Sequence, residues 1–286
     1  MSSETFPCSV PDRPFPGSFP PELIDAVIDQ LHGDIDSLTA CALTSSSWLS
    51  ASRYHLFNDV FFEGEASVLR WTQTFSAPSD IPSYVENLHF SCLSLLDDAS
   101  SVALDLSTFA HLKGLFVGGS KAIPTRFRHL GGSCFQRITL LPSTSLRTLS
   151  LSSPIIPVSE VFPVVRHFHC LDNLHLKCFA VLPSDDTADD KTETSPPFRG
   201  TLTLASHLNY GPLITDLLAF PGGIHFTCLN LSVLRDDELP TLRELVYACS
   251  YTITSLNLTL DIGKWNFPPR YLVGCATHSL FPIWRF

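Results

Sequence analysis

The chain is short of charge. Lysine, arginine, aspartate and glutamate make up 16% of its 286 residues, well below the usual quarter. Its 18 cations and 28 anions leave a formal net charge of −10, and the cations never gather into a basic run. That excludes a nucleic-acid groove. No stretch approaches the roughly 18 uninterrupted apolar residues of a membrane span. No secretory leader is expected either, since Met1–Pro20 carries Glu4, Asp12 and five prolines and has no apolar core. The expectation is an intracellular protein, cytoplasmic or nuclear, that meets neither membrane nor nucleic acid. Nine cysteines, odd in number and without a repeating pair spacing, read as reduced thiols rather than a disulfide framework.

Enzyme motifs are also scarce. No Gly-x-Ser-x-Gly elbow occurs, and Gly118-Gly119-Ser120-Lys121 lacks the full phosphate-loop pattern. His167-Phe-His169-Cys170, with His175 and Cys178 nearby, has metal-ligand residue types. The run overlaps the expected start of a strand, where alternation would put His169 and Cys170 on opposite sides. The expectation is no metal, no cofactor and no catalytic residue.

What is present is a 44% apolar content, enough for a substantial core, distributed in two rhythms. From Phe19 to Phe62 the spacing is helical. Pro20 and Pro21 suit a helical first turn, where the missing amide hydrogens have no partner in any case. Glu22 sits where the helix dipole favours negative charge. Leu23, Val27, Ile28 and Leu31 then form an apolar stripe, and Ile24 widens the arc enough for two contacts, one inside and one outside. Asp36 is the expected N-cap of a second helix with Leu38, Cys41, Ala42 and Leu43 as its apolar positions. Serines 45 to 47 end that helix and cap a third, whose Trp48, Leu49, Ser52, Arg53 and Leu56 are spaced to bury one side. Val60-Phe61-Phe62 is an extended exit.

From Tyr84 the rhythm changes to short alternating runs: Val85–Phe90, Leu112–Val117, Phe135–Leu140, Leu146–Leu151, Leu171–Leu176, Gly200–Leu204, Cys228–Leu231 and Thr254–Leu258. Most central residues recur at 23 to 28 positions, while Ile138 and Leu149 are only 11 apart. An L-x-x-L-x-L core at a period of 20–29 residues is the signature of leucine-rich repeats, each contributing one strand to a parallel sheet. The alternate apolar residues point inward, and those between them face the other side. The asparagine or cysteine that usually follows the last leucine is mostly absent, which makes the repeats irregular. An ordinary α/β domain with evenly spaced strands is the alternative.

The helical stretch resembles an F-box. Phe19-Pro20-Pro21-Glu22-Leu23 is similar to that family's opening Leu-Pro-x-Glu-Leu, and Asp36-Ser37-Leu38 to its Asp-Leu turn. Leu43-Thr44-Ser45-Ser46-Ser47-Trp48 falls where the family often has Val-Cys-x-x-Trp, with Thr44 in place of cysteine and one extra residue. The resemblance implies binding to the Skp1 adaptor and, through it, a cullin. Pro20, Glu22, Leu23, Val27, Leu31 and Trp48 would form or support that face. A protein substrate would be held by the C-terminal domain, with His89, Lys113, Arg147, His175 and Asn257 as candidate contacts between inward leucines.

The expected fold class is therefore α/β, an N-terminal three-helix F-box followed by an irregular leucine-rich-repeat-like solenoid with a parallel sheet. Its expected divisions are a flexible stretch 1–18, the helical module 19–62, a connecting helix within 63–83, and a repeat domain 84–286 with an acidic loop at 184–197. The expected function is that of a non-catalytic substrate receptor of a ubiquitin ligase. The alternative is a repeat scaffold that recruits no ligase.

Overall fold

A computed structural model describes residues 20–75, 79–91, 104–118, 132–182, 197–205, 211–220, 222–232 and 239–259. The expected flexible stretch 1–18, nearly all of the acidic loop and the aromatic C-terminal stretch from Trp265 lie outside the described residues.

Three helices open the structure: α1 (Pro21–Gln30), α2 (Ile35–Thr44) and α3 (Ser46–Phe57). Pro20 holds an extended φ of −52° and ψ of 139°, and Pro21 takes the first helical position. The cap of α2 is Asp34 rather than Asp36, because the Asp34 side chain accepts a 3.0 Å hydrogen bond from the Ser37 amide. Hydrogen bonds from the Ser37 hydroxyl and amide hold the Asp34 carboxyl below its ordinary pKa. Ser45 caps α3 through the Ser47 amide at 3.3 Å.

The three helices close around Ile24, Ile28 and Leu38, with Leu31, Cys41, Trp48, Ala51 and Leu56 packed against them. This small core is separate from the larger one beyond it. Ser52 is fully buried here, and its hydroxyl has no hydrogen-bond partner. A buried, unpaired hydroxyl carries a desolvation penalty without compensation. Ser52→Ala is therefore expected to leave stability unchanged or raise it by up to about 1 kcal/mol, measurable by urea unfolding. A clear loss of stability would show that the hydroxyl is engaged.

Beyond α3 the chain builds one parallel sheet. Its strands are β1 (Asp59–Phe62), β2 (Asn87–Phe90), β3 (Gly114–Val117), β4 (Thr148–Pro157), β5 (Asn173–Leu182), β6 (Phe198–Ala205), β7 (Ile224–Ser232) and β8 (Ser255–Thr259). They lie side by side in sequence order, and every described neighbouring pair is parallel. Parallel neighbours require a crossover on each return. Helices supply several of these: α4 (Glu65–Thr74), α5 (Gly132–Ile138), α6 (Val158–His167), α7 (Gly211–Leu218) and α8 (Leu239–Ala248). Single 3-10 turns at Ile81–Tyr84 and Leu106–Thr108 lie in two more.

Two sequence expectations need correction. The sheet begins at Asp59, since Val60 pairs with Leu88, so the extended exit of the helical module is its first strand. The Phe135–Leu140 run is no strand, as Phe135 and Ile138 are the buried face of α5. Their three-residue spacing suits a helix as well as a strand. Without that run the odd 11-residue interval disappears, and Leu115 pairs directly with Leu149.

Registered across the sheet, Val60, Leu88, Leu115, Leu149, Leu174, Leu202, Leu229 and Leu256 form one row. From Leu88 to Leu229 every residue of the row is fully buried. The next inward row, including Phe90, Val117, Leu151, Leu176, Leu204 and Leu231, is buried too. Apolar residues of α4, α6, α7 and α8 complete this continuous core, with Val68, Val165, Leu217 and Leu245 among them. The helical module packs on the α4 crossover through Phe57, whose ring lies edge-on to Trp71 at 6.4 Å and Phe75 at 5.4 Å. The partly exposed Arg53–Asp80 pair, at 3.3 Å, adds little beside that packing.

Candidate functional site

Two surfaces stand out. The first is on α1. Its inward side is Ile24 and Ile28, so the apolar residues one position earlier, Leu23 and Val27, are turned outward and are 52% and 51% exposed. The expected single stripe is thus split in two by the 100° step of the helix. Pro20 and Glu22 are exposed beside Leu23, whereas Leu31 and Trp48 pack against the small core. Of the six expected adaptor-facing residues, four are available at the surface and two mainly support the helices from within. Two further apolar residues on α2 are exposed, Ile35 at 70%, which sequence reasoning missed, and Leu43 at 83%. Leu43 is one of the expected apolar positions of that helix; the packing of α2 through Leu38 leaves it outside.

The second surface is the face of the sheet opposite the core. Parallel sheets usually have both faces covered, but apart from Gly114 the described residues on this one are half-buried or exposed. Between the two buried rows runs a third: Phe61, His89, Phe116, Ser150, His175, Thr203, Asn230 and Asn257, one from each successive strand. Its far end is a polar ladder. Asn257 Nδ2 donates to Asn230 Oδ1 at 2.7 Å, and Asn230 Nδ2 donates to Thr203 Oγ1 at 3.2 Å.

The near end is aromatic. The His89 ring lies between Phe61 and Phe116, with centroids 4.1 Å and 4.4 Å away and planes tilted by only 12° and 7°. A cleft of about 370 Å³ opens beside this stack, lined also by Glu63, Ser150 and Ser152. The two flanking phenylalanines were not foreseen, although alternation in Val60-Phe61-Phe62 and Leu115-Phe116-Val117 carries the signal.

His89, His175 and Asn257 therefore lie on one row, as expected. Lys113 and Arg147 do not. They precede β3 and β4 on the loop side, where Lys113 pairs with Glu86 at 2.5 Å and Arg147 with Asp172 at 3.3 Å. Each lies between buried leucines three residues apart, Leu112 and Leu115 or Leu146 and Leu149, a spacing that two-residue alternation does not span.

Burial lowers the pKa of His89, and Asp59, with Oδ1 3.7 Å from Nε2, only partly opposes that shift. Burial alone lowers the pKa of His175. With a folded pKa below the unfolded value, the unfolded chain binds more protons as pH falls. The resulting penalty is absent above the ordinary histidine range, grows as pH drops through about 6.5, and is complete below the folded value of His89. His89→Phe preserves the stack and removes the titration. It is expected to lose less stability than the parent between pH 7.5 and pH 5 in paired denaturant titrations. An equal loss in both proteins would show that His89 does not contribute.

The histidines of the His167–Cys178 run lie on different elements. His167 ends α6 and its Nε2 lies 3.0 Å from the Leu141 carbonyl oxygen. His175 is instead on the open face of β5. No metal-ligating group of three or more side chains is found among the described residues, and no described helix is long and apolar enough to cross a membrane. Among known proteins, no family model matches the chain, and no curated protein matches it either.

Proposed function

We propose that this protein is a non-catalytic substrate receptor of a Skp1–cullin–F-box ubiquitin ligase. Its helical module would bind the adaptor, and its sheet domain, an irregular leucine-rich solenoid, would hold a protein substrate. The observation that carries the reading is the division of α1. A helix that keeps Ile24 and Ile28 for its own core and presents Leu23 and Val27 to solvent has a second apolar surface in need of a partner. Sequential parallel pairing and the repeated inward leucines support the solenoid. A receptor of this kind works by raising the local concentration of substrate beside the ubiquitin-charged enzyme and needs no catalytic side chain.

A repeat scaffold without ligase recruitment is the second reading. It is favoured by Phe57 packing on Trp71 and Phe75, since helices docked in this way also serve as an end cap of the sheet. Affinity purification of the full chain with mass spectrometry separates the two. The receptor reading expects a Skp1-type adaptor and a cullin in the eluate, and their absence would leave the scaffold.

A further inference from the structure

We infer that the aromatic end of the open sheet face is a binding site for an arginine side chain presented by an extended basic segment of a partner protein. The inference rests on the reading of the open face as the substrate-holding surface, and it does not depend on ligase recruitment.

β1 is the first strand of the sheet, so one face of the Phe61 ring stacks on His89 while the side chain as a whole remains 64% exposed. The stack is imposed by strand register, because flat face-to-face rings are not the preferred free arrangement. Its centroid spacing approximates the distance between neighbouring strands. A further planar group can continue it on the open side of Phe61.

The charge at this end specifies which planar group. Asp59 lies two residues before Phe61 on the same side of β1, and Glu63, one residue past the strand, lines the same cleft as Phe61. No described ion pair engages the Glu63 carboxylate, and Asp59 meets only the weakly basic His89. The open-face positions of β1 through β4 carry no lysine or arginine among the described residues. A guanidinium is flat, always cationic and a fork-shaped donor. It can stack on an arene and hydrogen-bond a carboxylate at once, which a lysine ammonium does less well. The cleft of about 370 Å³ that runs from Phe61 and Glu63 across to Ser150 and Ser152 leaves room for neighbouring residues of the same segment.

The test titrates the full chain with three extended Gly/Ser peptides at low salt, carrying two arginines, two lysines or two citrullines at the same alternate positions. The arginine peptide is expected to bind about tenfold more tightly than either analogue. Phe61→Leu, which keeps apolar bulk without the ring, and Glu63→Gln are each expected to weaken it by roughly 3–10-fold. Both positions are exposed, and circular dichroism checks that the variants fold.

Equal binding of the lysine peptide, indifference to both variants, or no binding at all would overturn the inference. So would preferential binding of a free nucleotide such as AMP. Concentration-dependent self-association lost on Phe61→Leu would instead assign the surface to a second copy of this chain. Adaptor association in the same preparations reports separately on the ligase reading.

Discussion

Replacing Leu23 with Asp and Val27 with Lys together is expected to abolish association with the adaptor while leaving the protein folded. Both side chains are about half exposed, so most of their remaining apolar area is available only to a partner. Full desolvation of such a residue is worth roughly 1.5–3 kcal/mol. Losing the unburied half of each therefore removes roughly 1.5–3 kcal/mol in all, and stranding two charges in the interface adds more. A loss of affinity of about 100-fold or greater follows. The substitutions suit the helix itself. Aspartate at position 23 lies in the first turn, where the dipole favours it, and lysine four residues later gives the favourable ion-pair orientation. Unfolding midpoints are expected to stay near the parent value, as usual for exposed positions. Ile28→Asp is the contrasting variant. Ile28 is fully buried in the small core, and an unpaired buried charge there would disrupt the module. Calorimetric titration with a purified Skp1-type adaptor, beside thermal melts, distinguishes these results. Undiminished binding by the double variant would remove the support for the receptor reading.

The largest structural effect is expected from Gly200→Ala. Gly200 has φ of +94°, and a Cβ placed there would lie 1.9 Å from the Asp172 carbonyl oxygen and 2.7 Å from its carbon. The same carbonyl accepts a hydrogen bond from the Thr201 amide at 2.7 Å, so it cannot retreat without breaking the β5–β6 ladder. Gly200 is also where the β6–β7 register shifts, and glycine at a bulge allows this close approach of two backbones. The left-handed backbone contributes about 1–3 kcal/mol of strain for alanine, and the overlap contributes a similar amount. A net destabilisation of roughly 3–5 kcal/mol is expected, lowering the melting temperature by about 10 °C or more. Gly33→Ala is the control, because nothing lies within 4 Å of a Cβ there and its φ is not positive. Its expected change is within about 0.5 kcal/mol. A Gly200→Ala protein as stable as the control would show that the strand approach is not as close as described.

These two positions differ in how legible they were. The double contact of α1 could be read from Ile24, which made the apolar arc wider than one neighbour needs. The assignment of sides could not, because Leu23 and Val27 are as apolar as Ile24 and Ile28 and only the docking of α3 chooses between them. Gly200 was legible as the start of a run, but its carbonyl neighbour is 28 residues earlier in the chain. Phe135–Leu140 failed for a related reason. Its short apolar spacing satisfies a helix and a strand alike, and burial between its neighbours chose the helix.

Local chemistry in the sequence determined the three opening helices, the capping role of Ser45, the inward leucines and their recurrence along a parallel sheet. Spacing and backbone preference act between near neighbours, and one chain is enough to display them. Tertiary structure alone decided where the sheet begins, which apolar residues of α1 and α2 are left for a partner, and that His89 is stacked between two phenylalanines. Those outcomes depend on docking angles between separate helices and on registers between strands more than 25 residues apart, where the free energy belongs to the packed ensemble and no single stretch carries it.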